Sequence, residues 1–125
     1  MSRTIKFRGR NNKASPWVYG YVVFDDPDKA VIFQDGIECD VDVESVGEFT
    51  GLLDRNGKEI YEGDVARFVF NGRDLEEGVI EWHEDMFHIR SLKYPNLSPG
   101  NYRLAYIASR SEIIGNIYEN PELVK

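Results

Sequence analysis

The chain has 125 residues, 42% of them hydrophobic, 13% aromatic and 30% charged, with a formal net charge of −7. That length suits one domain or two small β-subdomains, and the apolar content excludes disorder over most of the chain. No apolar run approaches the roughly 20 residues of a helical membrane span, and the opening Met1-Ser2-Arg3-Thr4-Ile5 lacks the apolar core of a secretory leader, so the chain is expected to work in the cytoplasm, away from membranes.

The charge is unevenly placed. Residues 1–24 carry five bases and no acid, residues 25–64 thirteen acids against three bases, and residues 65–125 nine acids against seven bases. The single cysteine, Cys39, cannot form an internal disulfide. It sits among alternating apolar positions and is expected to be a buried structural thiol in a reducing compartment.

Short alternating runs closed by Gly, Asn, Asp or Pro recur along the chain, which is the pattern of strands joined by tight turns. Ile5 and Phe7 alternate with Thr4, Lys6 and Arg8 in a first strand, and residues 11–16 read as a loop. Trp17 to Phe24 is aromatic and β-branched apart from Gly20, and reads as a strand with both faces at least partly covered. A third strand spans Ala30 to Phe33, and Asp35-Gly36 suits a hairpin turn. Beyond it Ile37, Cys39, Val41 and Val43 should point one way and Glu38, Asp40, Asp42 and Glu44 the other. Four acids on one strand face repel unless they are solvated or matched, and the basic first strand is the obvious intramolecular match.

Phe49 to Leu53 and the turn at Asn56-Gly57 lead to a second series of strands at 65–70, 78–83, 86–92, 102–108 and 112–118. Breaks fall at Asn71-Gly72, Glu84-Asp85, residues 95–100 and residues 109–111. Five short strands in this space suggest a small barrel, and Gly63-Asp64-Val65, Gly78 to Trp82 and Phe87-His88-Ile89 resemble an SH3-like one. Asn120 before Pro121 suits a short C-terminal helical turn. The fold is therefore read as all-β: N-terminal antiparallel strands over residues 1–59 and an SH3-like small barrel over 60–125, within two subdomains or one continuous domain.

Three stretches together resemble the YopX family of bacteriophage and prophage proteins. They are Ile5-Lys6-Phe7-Arg8-Gly9 with Trp17-Val18-Tyr19-Gly20, then Phe49-Thr50-Gly51-Leu52 through Asn56-Gly57-Lys58-Glu59-Ile60-Tyr61-Glu62-Gly63-Asp64, then Ile114 to Pro121. The resemblance implies a phage-encoded or prophage-encoded protein of the bacterial cytoplasm with an all-β fold. It implies no activity and no catalytic residues. Gly51, Gly57, Gly63 and Gly115 in these motifs read as turn or close-packing positions, and Ile60, Tyr61, Ile117 and Tyr118 as core or interface residues.

Chemistry-bearing constellations are sparse. His83 and His88, with Glu81, Glu84 and Asp85 beside them, are the best metal candidates, but their spacing of five across a turn is not that of a zincin helix, and surface imidazoles are the preferred reading. In Asp54 to Glu59 the glycine and glutamate come too early for a twelve-residue calcium loop. No nucleophile elbow, phosphate loop or dinucleotide fingerprint is present, and no cofactor is expected. Carboxylate pairs such as Glu81 and Glu84 are too common in so acidic a chain to single out a catalytic dyad.

Arg3, Lys6, Arg8, Arg10 and Lys13 lie near Phe7, Trp17 and Tyr19, the combination that single-stranded nucleic acid uses. The favoured reading is that these bases pair with the acidic middle of the same chain while the aromatics fill the core, because a sequence pI near 4.8 is opposite to a nucleic-acid footprint. The expectation is a non-enzymatic protein-interaction module whose partner is itself or a bacterial factor. Three alternatives stand behind it: nucleic-acid binding through the basic arm, mimicry of DNA through Asp40, Asp42 and Glu44, and a metal-dependent hydrolase at His83 and His88.

Overall fold

The computed structural model describes residues 4–69, 72, 74–96 and 102–124, and among these the fold is antiparallel β in two compact units, Met1–Gly51 and Leu52–Lys125. Arg3, the break at Asn71 and most of the 95–100 break lie outside the described residues. The division between the units falls at Gly51/Leu52.

In the first unit, β1 (Phe7–Gly9), β2 (Val18–Asp26), β3 (Lys29–Gln34), β4 (Ile37–Val41) and β5 (Gly47–Leu53) run in the order β4-β3-β2-β1-β5. Asp35 (φ 51°) and Gly36 (φ 80°) supply the two left-handed residues that a two-residue hairpin requires, so Gln34 pairs with Ile37. The core is small: Ala30, Ile32 and Val41 are buried, with Phe7, Val18, Val22, Val43 and Val46 packed against them.

That small core explains two departures from the alternating pattern. It is centred on Ile32 and Val41 and thins toward the turn, so Cys39 is only half-buried rather than sealed and Ile37 is 66% exposed. The strand also ends at Val41, and the chain enters a 3-10 turn at Val43–Ser45. The Arg10 N–H donates to Ser45 Oγ at 2.9 Å, which ties this turn to the residue after β1. Only Glu38 and Asp40 therefore share the strand; Asp42 and Glu44 do not extend the row. Nor is β1 beside that row, since β2 and β3 lie between β1 and β4.

The second unit takes in the end of β5, then β6 (Glu59–Tyr61), β7 (Asp64–Val69), β8 (Leu75–His83), β9 (Met86–Ser91) and β10 (Glu112–Asn116). The sheet order is β10-β7-β8-β9 and β6 pairs with β5. β10 and β9 are the outer strands of this sheet, and beyond β9 the chain adds an isolated antiparallel bridge between His88 and Arg103, with the Ile89 N–H donating to the Tyr102 carbonyl at 2.9 Å.

The strand expected at 102–108 is instead a helix, α1 (Leu104–Ile107), running into a 3-10 turn at Ala108–Arg110. Leu104, Ile107 and Ala108 are buried at helical spacing while Tyr106 is 66% exposed. The apparent alternation Tyr102, Leu104, Tyr106, Ala108 had masked that period. With Ile60, Phe68, Ile80 and Ile89, each at 1% exposure or less, these residues form the core of the unit. Each such side chain contributes about 2 kcal/mol by leaving water. A 3-10 turn at Pro121–Val124 matches the C-terminal expectation.

The turn after β5 is held by one carboxylate. Asp54 is 5% exposed; its Oδ1 accepts the N–H groups of Asn56 (2.8 Å) and Lys58 (2.9 Å), and its Oδ2 accepts that of Ile113 on β10 (3.0 Å). Burial pushes the Asp54 carboxyl up, but the three N–H donors and the Lys58 charge outweigh it, and its pKa lies below the ordinary 3.8.

Two predictions follow from these contacts. A Cβ at Gly20 would lie 1.9 Å from the Phe33 carbonyl oxygen, so Gly20→Ala should push β2 from β3 and cost about 3 kcal/mol in urea unfolding. Asp54→Asn leaves one backbone N–H facing an amide NH2 and should cost about 2 kcal/mol at pH 7. Because the folded pKa is depressed, the stabilisation from Asp54 is complete well above 3.8 and is lost as pH falls through the lower, folded value. The stability difference between wild type and Asp54→Asn should therefore shrink across that acidic range.

Candidate functional site

The alternation of β2 leaves Tyr19, Tyr21 and Val23 on one face and turns Val18, Gly20 and Val22 toward the other. On the neighbouring strands Phe33 lies opposite Tyr21 and Val31 opposite Val23, with Glu38 opposite Phe33 and Asp40 opposite Val31. One face of β2, β3 and β4 thus carries an aromatic and aliphatic strip bordered by two carboxylates. Tyr21 and Phe33 stack with centroids 4.8 Å apart and planes at 12°. Tyr19, Tyr21 and Val23 remain 41%, 61% and 48% exposed. A cleft of about 420 Å³ beside the strip is lined by Asp25, Asp28, Glu38 and Asp40, with Lys29 as its one basic lining residue.

At the β1 end of the strip Trp17 is half-buried. The Arg8 and Arg10 guanidinium carbons lie 4.5 and 4.9 Å from its ring centroid, and Arg10 also donates to the carbonyls of Asn12 (3.0 Å) and Lys13 (2.6 Å). Both arginines are 7% exposed. Lys6 is half-buried with its Nζ 5.1 Å from the Phe49 centroid. Lys6, Arg8 and Arg10 are therefore integrated into the sheet: their cations lie over aromatic rings, and Arg10 fixes the following loop by bonding its carbonyls, while Lys13 is exposed.

The two histidines do meet across the β8–β9 hairpin, whose two-residue turn holds Glu84 at φ 58°. Their ring centroids are 5.9 Å apart. His83 is exposed, 3.7 Å from a Glu84 oxygen, whereas His88 is 6% exposed. Glu81 is engaged by Arg90 at 3.0 Å. Among the described residues no three His, Cys, Asp or Glu side chains are placed to hold a metal ion.

One polar cluster escaped the sequence reading. Glu76, 3% exposed, accepts hydroxyl hydrogen bonds from Ser91 (2.7 Å) and Tyr102 (3.0 and 3.2 Å), and Ser91 Oγ in turn accepts the Tyr94 N–H. The available signal was the spacing of Glu76, Gly78 and Ile80, which places the carboxylate on the buried face of β8. Its donors come from β9 and from the segment before α1, which local pattern does not connect. A fully bonded buried carboxylate of this kind organises the interior.

A model of the YopX protein family matches residues 6–125. No curated protein matches the sequence. Among solved structures, the crystal structure of protein EF1440 from Enterococcus faecalis is similar at a TM-score of 0.56 and 24% identity, covering 99% of this chain and 100% of that one, which is a likeness of fold. With the match extending from the first strand to the C-terminal turn, the chain belongs to the YopX family.

Proposed function

We propose that this protein is a non-enzymatic interaction module of a phage or prophage, acting in the bacterial cytoplasm, and that the strip on β2 and β3 docks a bacterial protein whose own apolar patch is bordered by Lys and Arg. The observation that carries this reading is the half-exposed row Tyr19, Tyr21 and Val23 with Phe33 stacked against it. Rigid aromatic rings on a sheet lose little side-chain freedom on binding, and each ring covered contributes about 2 kcal/mol. Charge complementarity selects the partner, because Glu38, Asp40 and the acid-lined cleft border this row.

The same acids argue against a second copy as the occupant. Antiparallel pairing of β4 with β4 around a two-fold axis would set Glu38 and Asp40 of both chains into adjacent positions, a like-charge arrangement that destabilises cross-strand pairs. The buried, stacked state of Arg8 and Arg10 supports protein over nucleic acid as the ligand, since those guanidinium groups already serve the fold.

The test is capture from bacterial lysate by wild type and by two double variants, Tyr21→Ser with Phe33→Ser and Glu38→Lys with Asp40→Lys, each checked by thermal melting. A partner with a basic surface should be held by wild type and fall about tenfold or more in both variants, the charge-reversed one being most affected at low salt. Capture that is unchanged in the variants, that disappears on nuclease treatment, or that recovers only the protein itself would overturn the reading.

A further inference from the structure

The second unit contains a cleft of about 250 Å³ whose chemistry is opposite to that of the acidic chain around it. Among the described residues, Arg55, Arg67 and Arg110 line it with a single acid, Glu112, and Phe68, Val69 and Leu75 form an apolar wall. The three arginines come from separate elements. Arg67 lies on β7 between Glu112 of β10 and Glu77 of β8, Arg55 follows Asp54 in the turn after β5, and Arg110 ends the 3-10 turn after α1.

Their charges are unequally used. Arg67 directs Nε and Nη2 to one Glu77 oxygen at 3.2 and 2.8 Å, which matches its charge. Arg55 meets Glu112 through one looser contact of 3.5 Å. Arg110 donates Nη2 to the neutral Tyr106 carbonyl at 2.7 Å, which leaves its positive charge unmatched among the described residues. Each guanidinium has five N–H donors, so Arg55 and Arg110 retain several for a ligand.

The framework beneath them is fixed. Arg55 donates its own N–H to the Ser111 carbonyl at 2.9 Å, next to the Asp54 carboxylate that bonds Ile113, so the Arg55 and Glu112 backbones are held in place before a ligand arrives. Planar guanidinium forks suit a tetrahedral dianion, and the apolar wall suits a small ring or chain attached to it. At about 30 Å³ per water the cleft equals roughly eight waters, room for a phosphate with a six-membered ring.

We propose that this cleft binds a small phosphate monoester, with the phosphoryl group at Arg55 and Arg110 and its apolar substituent against Val69 and Leu75. The site is separate from the strip on β2 and β3, and neither proposal depends on the other.

The experiment is a titration of the isotope-labelled full chain with phenyl phosphate at low salt, reading arginine Nε–H signals and the backbone amides of Val69, Leu75 and Glu112 by NMR. Saturable shifts with a Kd of about a millimolar are expected, together with about tenfold weakening in Arg110→Gln and several-fold weaker binding of inorganic phosphate. Leu75→Asp, at a residue 57% exposed and outside the core, should also weaken binding and guards against a folding effect of Arg110→Gln. Absence of saturable shifts at about 20 mM phenyl phosphate, equal affinity for inorganic phosphate, or binding unchanged in both variants would overturn the proposal.

Discussion

The Asp54 carboxylate joins two segments that are 59 residues apart, and much of the second unit is arranged around that junction. Three backbone N–H groups that would otherwise need water or a sheet partner converge on two oxygens, two from the turn and one from β10. Leaving a carboxylate in this position would be costly without donors, and with three charge-assisted bonds the penalty is more than offset. The turn is thereby fixed in shape and in place. Arg55 is carried to Ser111, β10 is positioned beside β7, and the α1 segment that packs on the core is brought back to the sheet.

The two units solve the packing problem differently. The second has a substantial interior of Ile, Phe, Leu and Tyr, plus a bonded Glu76. The first has a thin interior and relies on close strand approach, as at Gly20, and on cations stacked over Trp17. Its aromatic residues are consequently not all consumed by the core. Tyr19 and Tyr21 stand on the opposite face, and a sheet that small cannot bury both of its sides by itself.

Much of this was legible in the sequence because period-two alternation and turn residues are local signals. Asp35-Gly36 and Glu84-Asp85 were found as turns, and the strands around Tyr21, Ile32, Val65, Ile80 and Ile89 lie where alternation placed them. Residues 102–108 misled because Tyr102, Leu104 and Ala108 fit a strand alternation, and the burial of Ile107 together with the exposure of Tyr106 is what separates the helix from it. The acidic row was overextended because nothing in Asp42 or Glu44 announces the 3-10 turn that Ser45 ties to Arg10. Within the candidate sites, the proximity of His83 to His88 could be anticipated from a hairpin, whereas the strip needed the pairing of β2 with β3, and the arginine cleft needed three segments that only tertiary structure brings together.

The stacking of Arg8 and Arg10 on Trp17 has a spectroscopic consequence. The chain has two tryptophans, one in each unit: Trp17, with two guanidinium groups over its ring, in the first, and Trp82, 46% exposed and edge-on to Phe87, in the second. Replacing either with Phe would leave a single indole whose emission reports on one unit alone. Intrinsic fluorescence can therefore resolve whether the thin sheet and the larger core melt together or in sequence, without any attached label.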